Sequence, residues 1–144
     1  MLKYCKNKWS ENEDLLKQAL TLEKLTRLDY QDLVKLSVKW ILNSGSNNSG
    51  DWDYDNIRCI DDGDYQGTQL YIIPKHTYQP SEYEYLMTYV GYGSCSGCDT
   101  LLSMQCDRDN IDEYVKLCKD IICNIIKPYN CGWRNEEEFE VVEL

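Results

Sequence analysis

Histidine is nearly absent from this chain: His76, in a Pro-Lys-His-Thr turn, is the single one. That excludes an H-E-x-x-H metal helix, and a lone loop histidine is a poor catalytic base. No G-x-S-x-G elbow and no Gly-rich phosphate loop occur either. The familiar hydrolase and nucleotide-binding signatures are therefore missing, and the reading favours a protein that is not an enzyme. Apolar runs are short as well, and none reaches the roughly 18 residues of a membrane-spanning helix. The first residues, MLKYCKNKWSENEDLL, hold no apolar h-region and no small-residue cleavage site. The expected compartment is the cytoplasm, with no membrane partner and with most thiols reduced.

Basic residues are the third shortage. Lys and Arg number 15 against 25 Asp and Glu, for a net charge of −10. Such a surface repels phosphate backbones, and no basic run is long enough to form a stripe. Direct nucleic-acid binding is thereby disfavoured, and a partner with a basic surface suits the charge better. Solubility alone would also account for the acids.

What is present fits an α+β domain. The 144 residues make one domain of ordinary size, able to hold a core without covalent staples. Ser10 with Glu13 reads as a capping box, followed by Leu15, Leu16, Ala19 and Leu20 at helical spacing. Asp29 with Asp32 starts a second helix that ends at Asn43-Ser44-Gly45. Residues 10–43 thus read as a helical hairpin. The short polar stretch 44–50, SGSNNSG, is a loop. Residues 51–144 then carry a sheet, a core helix and an acidic tail. Strands are expected over 56–60, 68–74 and 83–92, joined as an antiparallel meander, with Asp62-Gly63 in the first turn. Asn110 caps a long helix whose stripe runs from Ile111 to Ile126, with Pro128 as its stop. Phe139, Val141 and Leu144 alternate with Glu140 and Glu143, the pattern of a final edge strand.

Four constellations could carry function. Cys95 and Cys98 form a C-x-x-C at a strand-to-helix turn. A thiol pair there suits a redox couple, half a zinc site or a tight turn. No second close pair completes a zinc site: Cys118 and Cys123 lie on one predicted helix, about 140° apart. Distant ligands such as Cys106, Cys131 or His76 would be needed, and Cys59 and Cys118 read as small buried hydrophobes. Asp51, Asp53 and Asp55 resemble the start of a calcium loop, but Asn56 stands where glycine is required. The run reads instead as a solvated edge in which Trp52 and Tyr54 alternate with the acids. Tyr78, Tyr83, Tyr85, Tyr89 and Tyr92 crowd one region, more than a small sheet can bury. Exposed tyrosine beside acids is a partner-binding composition. Finally, Glu136, Glu137, Glu138, Glu140 and Glu143 make the densest acidic stretch. With Asp51, Asp53, Asp55, Asp62 and Asp64 they could imitate phosphate spacing.

The segment Gly67-Thr68…Ile73-Pro74, Tyr78-Gln79-Pro80 and Tyr85-Leu86-Met87-Thr88-Tyr89-Val90…Tyr92-Gly93-Ser94-Cys95-Ser96-Gly97-Cys98-Asp99-Thr100-Leu101 resembles small proteins of phages and prophages of low-GC Gram-positive bacteria. The resemblance spans about residues 50–105 and supplies no catalytic residue. It implies a small accessory protein of a mobile element, acting in the host cytosol. The combined expectation is an acidic inhibitor or adaptor that occupies a basic surface of a host protein, with an anti-CRISPR-like action on a defence effector as one form. The binding residues would be Asp51, Asp53, Asp55, Asp62, Asp64, Tyr78, Tyr83, Tyr85, Glu136, Glu137, Glu138 and Glu140. The alternative is a zinc-stabilised or thiol-redox protein centred on Cys95 and Cys98.

Overall fold

The computed structural model describes residues 1–64, 66–94, 99–106, 110–128 and 139–143, with only the backbone of Cys106. Within them, helices pack on one face of a three-stranded antiparallel sheet, an α+β fold.

Helix α1 runs Lys3–Thr21. It begins seven residues before Ser10, so the expected capping box at Ser10 and Glu13 does not exist. Glu13 instead lies 3.6 Å from Lys17 one turn on. The early start follows from packing. Leu2, Cys5, Trp9, Asn12, Leu16 and Leu20 recur at helical spacing and are all buried. Burying Cys5 and Trp9 outweighs the lack of a side-chain cap at Leu2. A short 3₁₀ turn, Leu25–Arg27, leads to α2, Tyr30–Ser37. Here the expected cap is real: the Asp29 carboxylate accepts from the Asp32 N–H at 2.8 Å, and Asp32 accepts from the Asp29 N–H at 3.0 Å.

The second helix continues as a π-turn, Val38–Leu42, in which the Asn43 N–H reaches back to the Val38 carbonyl. Ser44 and Gly45 then adopt φ of 54° and 88°, which turns the chain out of the helix. At Gly45 an added Cβ would lie 2.8 Å from the Trp40 ring. Asn12 fastens the hairpin by donating to the Ile41 carbonyl at 2.7 Å. The Asn43 side chain fastens the following loop, donating to the Trp52 carbonyl and accepting from its N–H.

The sheet comprises β1 Arg58–Asp61, β2 Gly67–Pro74 and β3 Tyr85–Tyr92, in that order. The meander is as expected, with β1 and β3 each starting two residues later than the sequence pattern indicated. Beyond β3, Ile126 forms a bridge with Met87 through both backbone hydrogen bonds. The short helix α3, Thr100–Cys106, precedes α4, Ile111–Cys123. Helix α4 ends before Ile125 and Ile126, because Ile126 is drawn into the bridge with β3. Asn110 occupies the N-cap position of α4 without a side-chain cap bond.

The core sits between α4, the N-terminal helices and the inner face of the sheet. Tyr71, Ile73, Leu86 and Thr88 from the sheet are almost wholly buried, as are Cys118, Ile121 and Ile122 of α4. The Thr88 hydroxyl donates to the Ile121 carbonyl at 2.6 Å, so the polar atom on this face is satisfied. Among the described tail residues, 139–143, no final edge strand is formed. Val141 makes one bridge, to Leu2, and the chain turns helical at Lys3, so that ladder cannot extend.

The two capping readings give contrasting stability predictions. Asp29→Ala should cost about 1 kcal/mol in urea unfolding, because the Asp32 N–H loses its partner. Ser10→Ala, at an exposed position inside α1, should stay within about 0.5 kcal/mol of the parent. Equal losses at both sites would contradict these helix starts.

Candidate functional site

Alternation sorts the sheet residues onto two faces. Register places Leu70 beside both Ile60 and Tyr89, and Ile72 beside both Arg58 and Met87. Pro74 pairs with Tyr85, and Met87 with Ile126. All of these point away from α4. An antiparallel sheet covered on one side ordinarily carries polar residues on the other. Here the outer face is largely apolar: Ile60, Tyr89 and Ile126 are 53%, 46% and 49% exposed, and Leu70, Ile72, Tyr85 and Met87 are half-buried.

One end of this face is hollowed into a cleft of about 750 Å³. Its floor includes Ile72, Pro74, Tyr85 and Met87, and its rim carries Asp53, Arg58, Lys75 and Glu82. Lys75 and Lys127 both lie 5.4 Å from the Trp52 ring centroid, so the neighbouring ammonium groups are drawn toward the loop side. Lys127 also donates to the Tyr83 carbonyl.

Of the expected binding tyrosines, Tyr85 belongs to this face and lines the cleft. Tyr78, 96% exposed, and Tyr83, 40% exposed, lie on the loop that connects β2 to β3. The tyrosine cluster is thus divided. Tyr71 is buried beneath the sheet, and Tyr92 donates to Asp61, a bond that raises its phenol to about 12.

The aspartates are engaged in local structure. Asp51 accepts from the Ser46 hydroxyl at 2.6 Å and from the Asn48 N–H at 2.8 Å. Asp53 accepts from the Asp55 N–H and from the Asn56 side chain. Asp55 pairs with Lys35 at 3.2 Å. Asp62 accepts from the Thr68 N–H and so closes the β1–β2 turn. The stretch is therefore not the solvated edge that alternation suggested, since Trp52 and Asp53 are both buried. Asp55, Asp62 and Asp64 remain exposed, as does Glu140. Cys95, Cys98, Glu136, Glu137 and Glu138 lie outside the described residues. Among the described residues, no group of three or more His, Cys, Asp or Glu side chains is placed to hold a metal ion. Nor is any helix among them long and apolar enough to cross a membrane.

A second polar centre went unnoticed in the sequence. Asp99, 5% exposed, accepts from the N–H groups of Gly93, Leu101 and Leu102 and from the Tyr30 hydroxyl. It starts α3 and ties that helix to α2. Burial raises the Tyr30 phenol well above its ordinary value, with the Asp99 carboxylate adding to the rise and the Leu101 N–H opposing it. Asp99 borders a hollow of about 260 Å³, shared with Gln69, Tyr92 and Gln105. An acidic residue before the apolar run Thr100-Leu101-Leu102 was the available signal for a helix cap.

The four described thiols, Cys5, Cys59, Cys118 and Cys123, fall into an order of reactivity. Burial pushes Cys5 and Cys118 up to about 12 and also raises Cys123, whereas Cys59 is only half-buried. The thiolate is the reacting species. Iodoacetamide at neutral pH should therefore label Cys59 before Cys118 and Cys5 in the native protein, with peptide mass spectrometry as the readout. Faster labelling of Cys118 would contradict its burial.

Asp51 gives a pH prediction. Its hydrogen bond from Ser46, ahead of the bond from Asn48, holds the carboxyl below its ordinary value. The stabilisation is then complete above the unfolded-state pKa and is lost as pH falls through the lower, folded-state value. Asp51→Asn should accordingly be less stable than the parent at pH 7, and the gap should close under strong acid. A gap that widened with acid would contradict this account.

No protein-family model, no curated protein and no solved structure matches this chain.

Proposed function

We propose that this protein acts by binding another protein, as a non-enzymatic inhibitor or adaptor that occupies a basic surface of its partner. The observation that carries the reading is the outer sheet face, apolar where water-facing residues are expected, on a chain of net charge −10. Large exposed apolar patches mark interaction sites. The overall charge would steer a basic partner to that face and repel nucleic acid. Asp55, Asp62, Asp64 and Glu140 supply charge near solvent, and the 136–138 glutamates of the sequence add to it. The resemblance to phage accessory proteins makes a nucleic-acid-directed defence effector of the host the partner class to examine first.

The test is retention from a host lysate on the immobilised protein, followed by titration of the purified, identified partner. The expected partner is basic, competes with double-stranded DNA, and loses at least about tenfold in affinity between about 50 and 200 mM salt. Replacing Glu136, Glu137, Glu138, Glu140 and Glu143 together by Gln should lower both affinity and salt slope. An acidic or neutral partner, bound with no salt dependence, would overturn the reading.

A further inference from the structure

We infer that the outer face of the sheet is the seat for one cationic amphipathic helix of the partner, laid apolar side down with its basic end over the acidic β1–β2 turn. The inference rests on the protein-binding reading above and adds where, and by what kind of segment, the partner docks.

Size comes first. From β1 to the bridge at Ile126 the face spans three strand spacings, or ~14 Å, and the eight residues of β2 run ~24 Å along it. The footprint is thus on the order of 350 Å², less than half of the roughly 800 Å² that each side of a stable globular interface buries. A second copy of this chain, also at −10, would meet strong repulsion for that small area. A helix about 10 Å across and about 14 residues long fits the same footprint.

Shape and chemistry agree. A sheet face offers side chains rather than free backbone groups, so it takes a helix's apolar stripe and not an added strand. A helix here would be the third layer, opposite α4. Charge sets the occupant's sign. The β1–β2 turn at one end of the face carries Asp62 and Asp64, while Asp61 lies on the inner side, bonded to Tyr92 and Gln69. At the other end Glu82 and Asp53 share the rim of the cleft with Arg58 and Lys75, so the charges there balance. The middle of the occupant must therefore be apolar, and its end over the β1–β2 turn basic.

The probe is a capped synthetic helix with leucines on one face and lysines toward one end, read by fluorescence anisotropy. Its control has the same composition in scrambled order, which keeps the charge and removes the stripe. The amphipathic peptide should bind more tightly than the scrambled one. Ile60→Thr/Tyr89→Thr should remove at least about tenfold of that preference, the loss expected of truncated central contacts. Tyr89→Thr alone, at an exposed position, serves if the double variant unfolds by circular dichroism. Equal binding of the two peptides would overturn the inference. So would a preference that survives both variants, or a concentration-dependent mass in sedimentation that the same variants abolish, which assigns the face to a second copy. If the basic partner is captured equally by parent and face variant, the protein-binding reading stands and this placement fails. If no basic partner is retained while the peptide preference holds, the reverse applies.

Discussion

Everything in this fold depends on how the inner sheet face meets α4. Tyr71, Ile73, Leu86 and Thr88 close on Ile121, Ile122 and Cys118, and the N-terminal helices seal α4 from the other side. Each fully buried aliphatic side chain of this kind contributes about 1.5–3 kcal/mol. Three short strands cannot persist in water without such a cover. The Thr88 hydroxyl in this contact is satisfied by a carbonyl of the helix that covers it.

Among the described residues, no element covers the second sheet face. In a two-layer α+β domain that face would normally be polar. Here Ile60, Leu70, Ile72 and Met87 occupy it, and the acids sit at its ends. The aspartate-rich loops serve two purposes at once. Asp51, Asp53 and Asp62 saturate backbone and side-chain donors and so shape the turns, while Asp55, Asp62 and Asp64 still present charge to solvent.

Legibility in the sequence varied with how local the governing interaction is. The Asp29 cap, the Asn43-Ser44-Gly45 exit and the Asp62-Gly63 turn each depend on neighbours a few residues away, and each lies where the pattern indicates. The start of α1 was misplaced because Ser10 and Glu13 imitate a cap, while the decisive burial of Cys5 and Trp9 involves α4 and the second helix. The end of α4 was misplaced because Ile126 is claimed by Met87, 39 positions earlier in the chain. The tail at Val141 finds a single bridge at Leu2, and alternation alone could not reveal that its partner turns helical at once.

By itself the sequence determined the composition of the layers. Period 3.6 in the helices and period 2 in the strands dictate which residues share a face, because side-chain direction follows from backbone geometry. Net charge and the lack of catalytic signatures likewise follow from counting. Only the tertiary structure decided which apolar face is covered. Periodicity gives Tyr71 and Ile72 equal standing on opposite sides of β2, and only the docking of α4 makes one a core residue and leaves the other to a cleft. It also divided the tyrosines and gave Asp99 its four partners, since Tyr30 lies 69 positions away in the chain. Contacts between distant segments leave no local period to read.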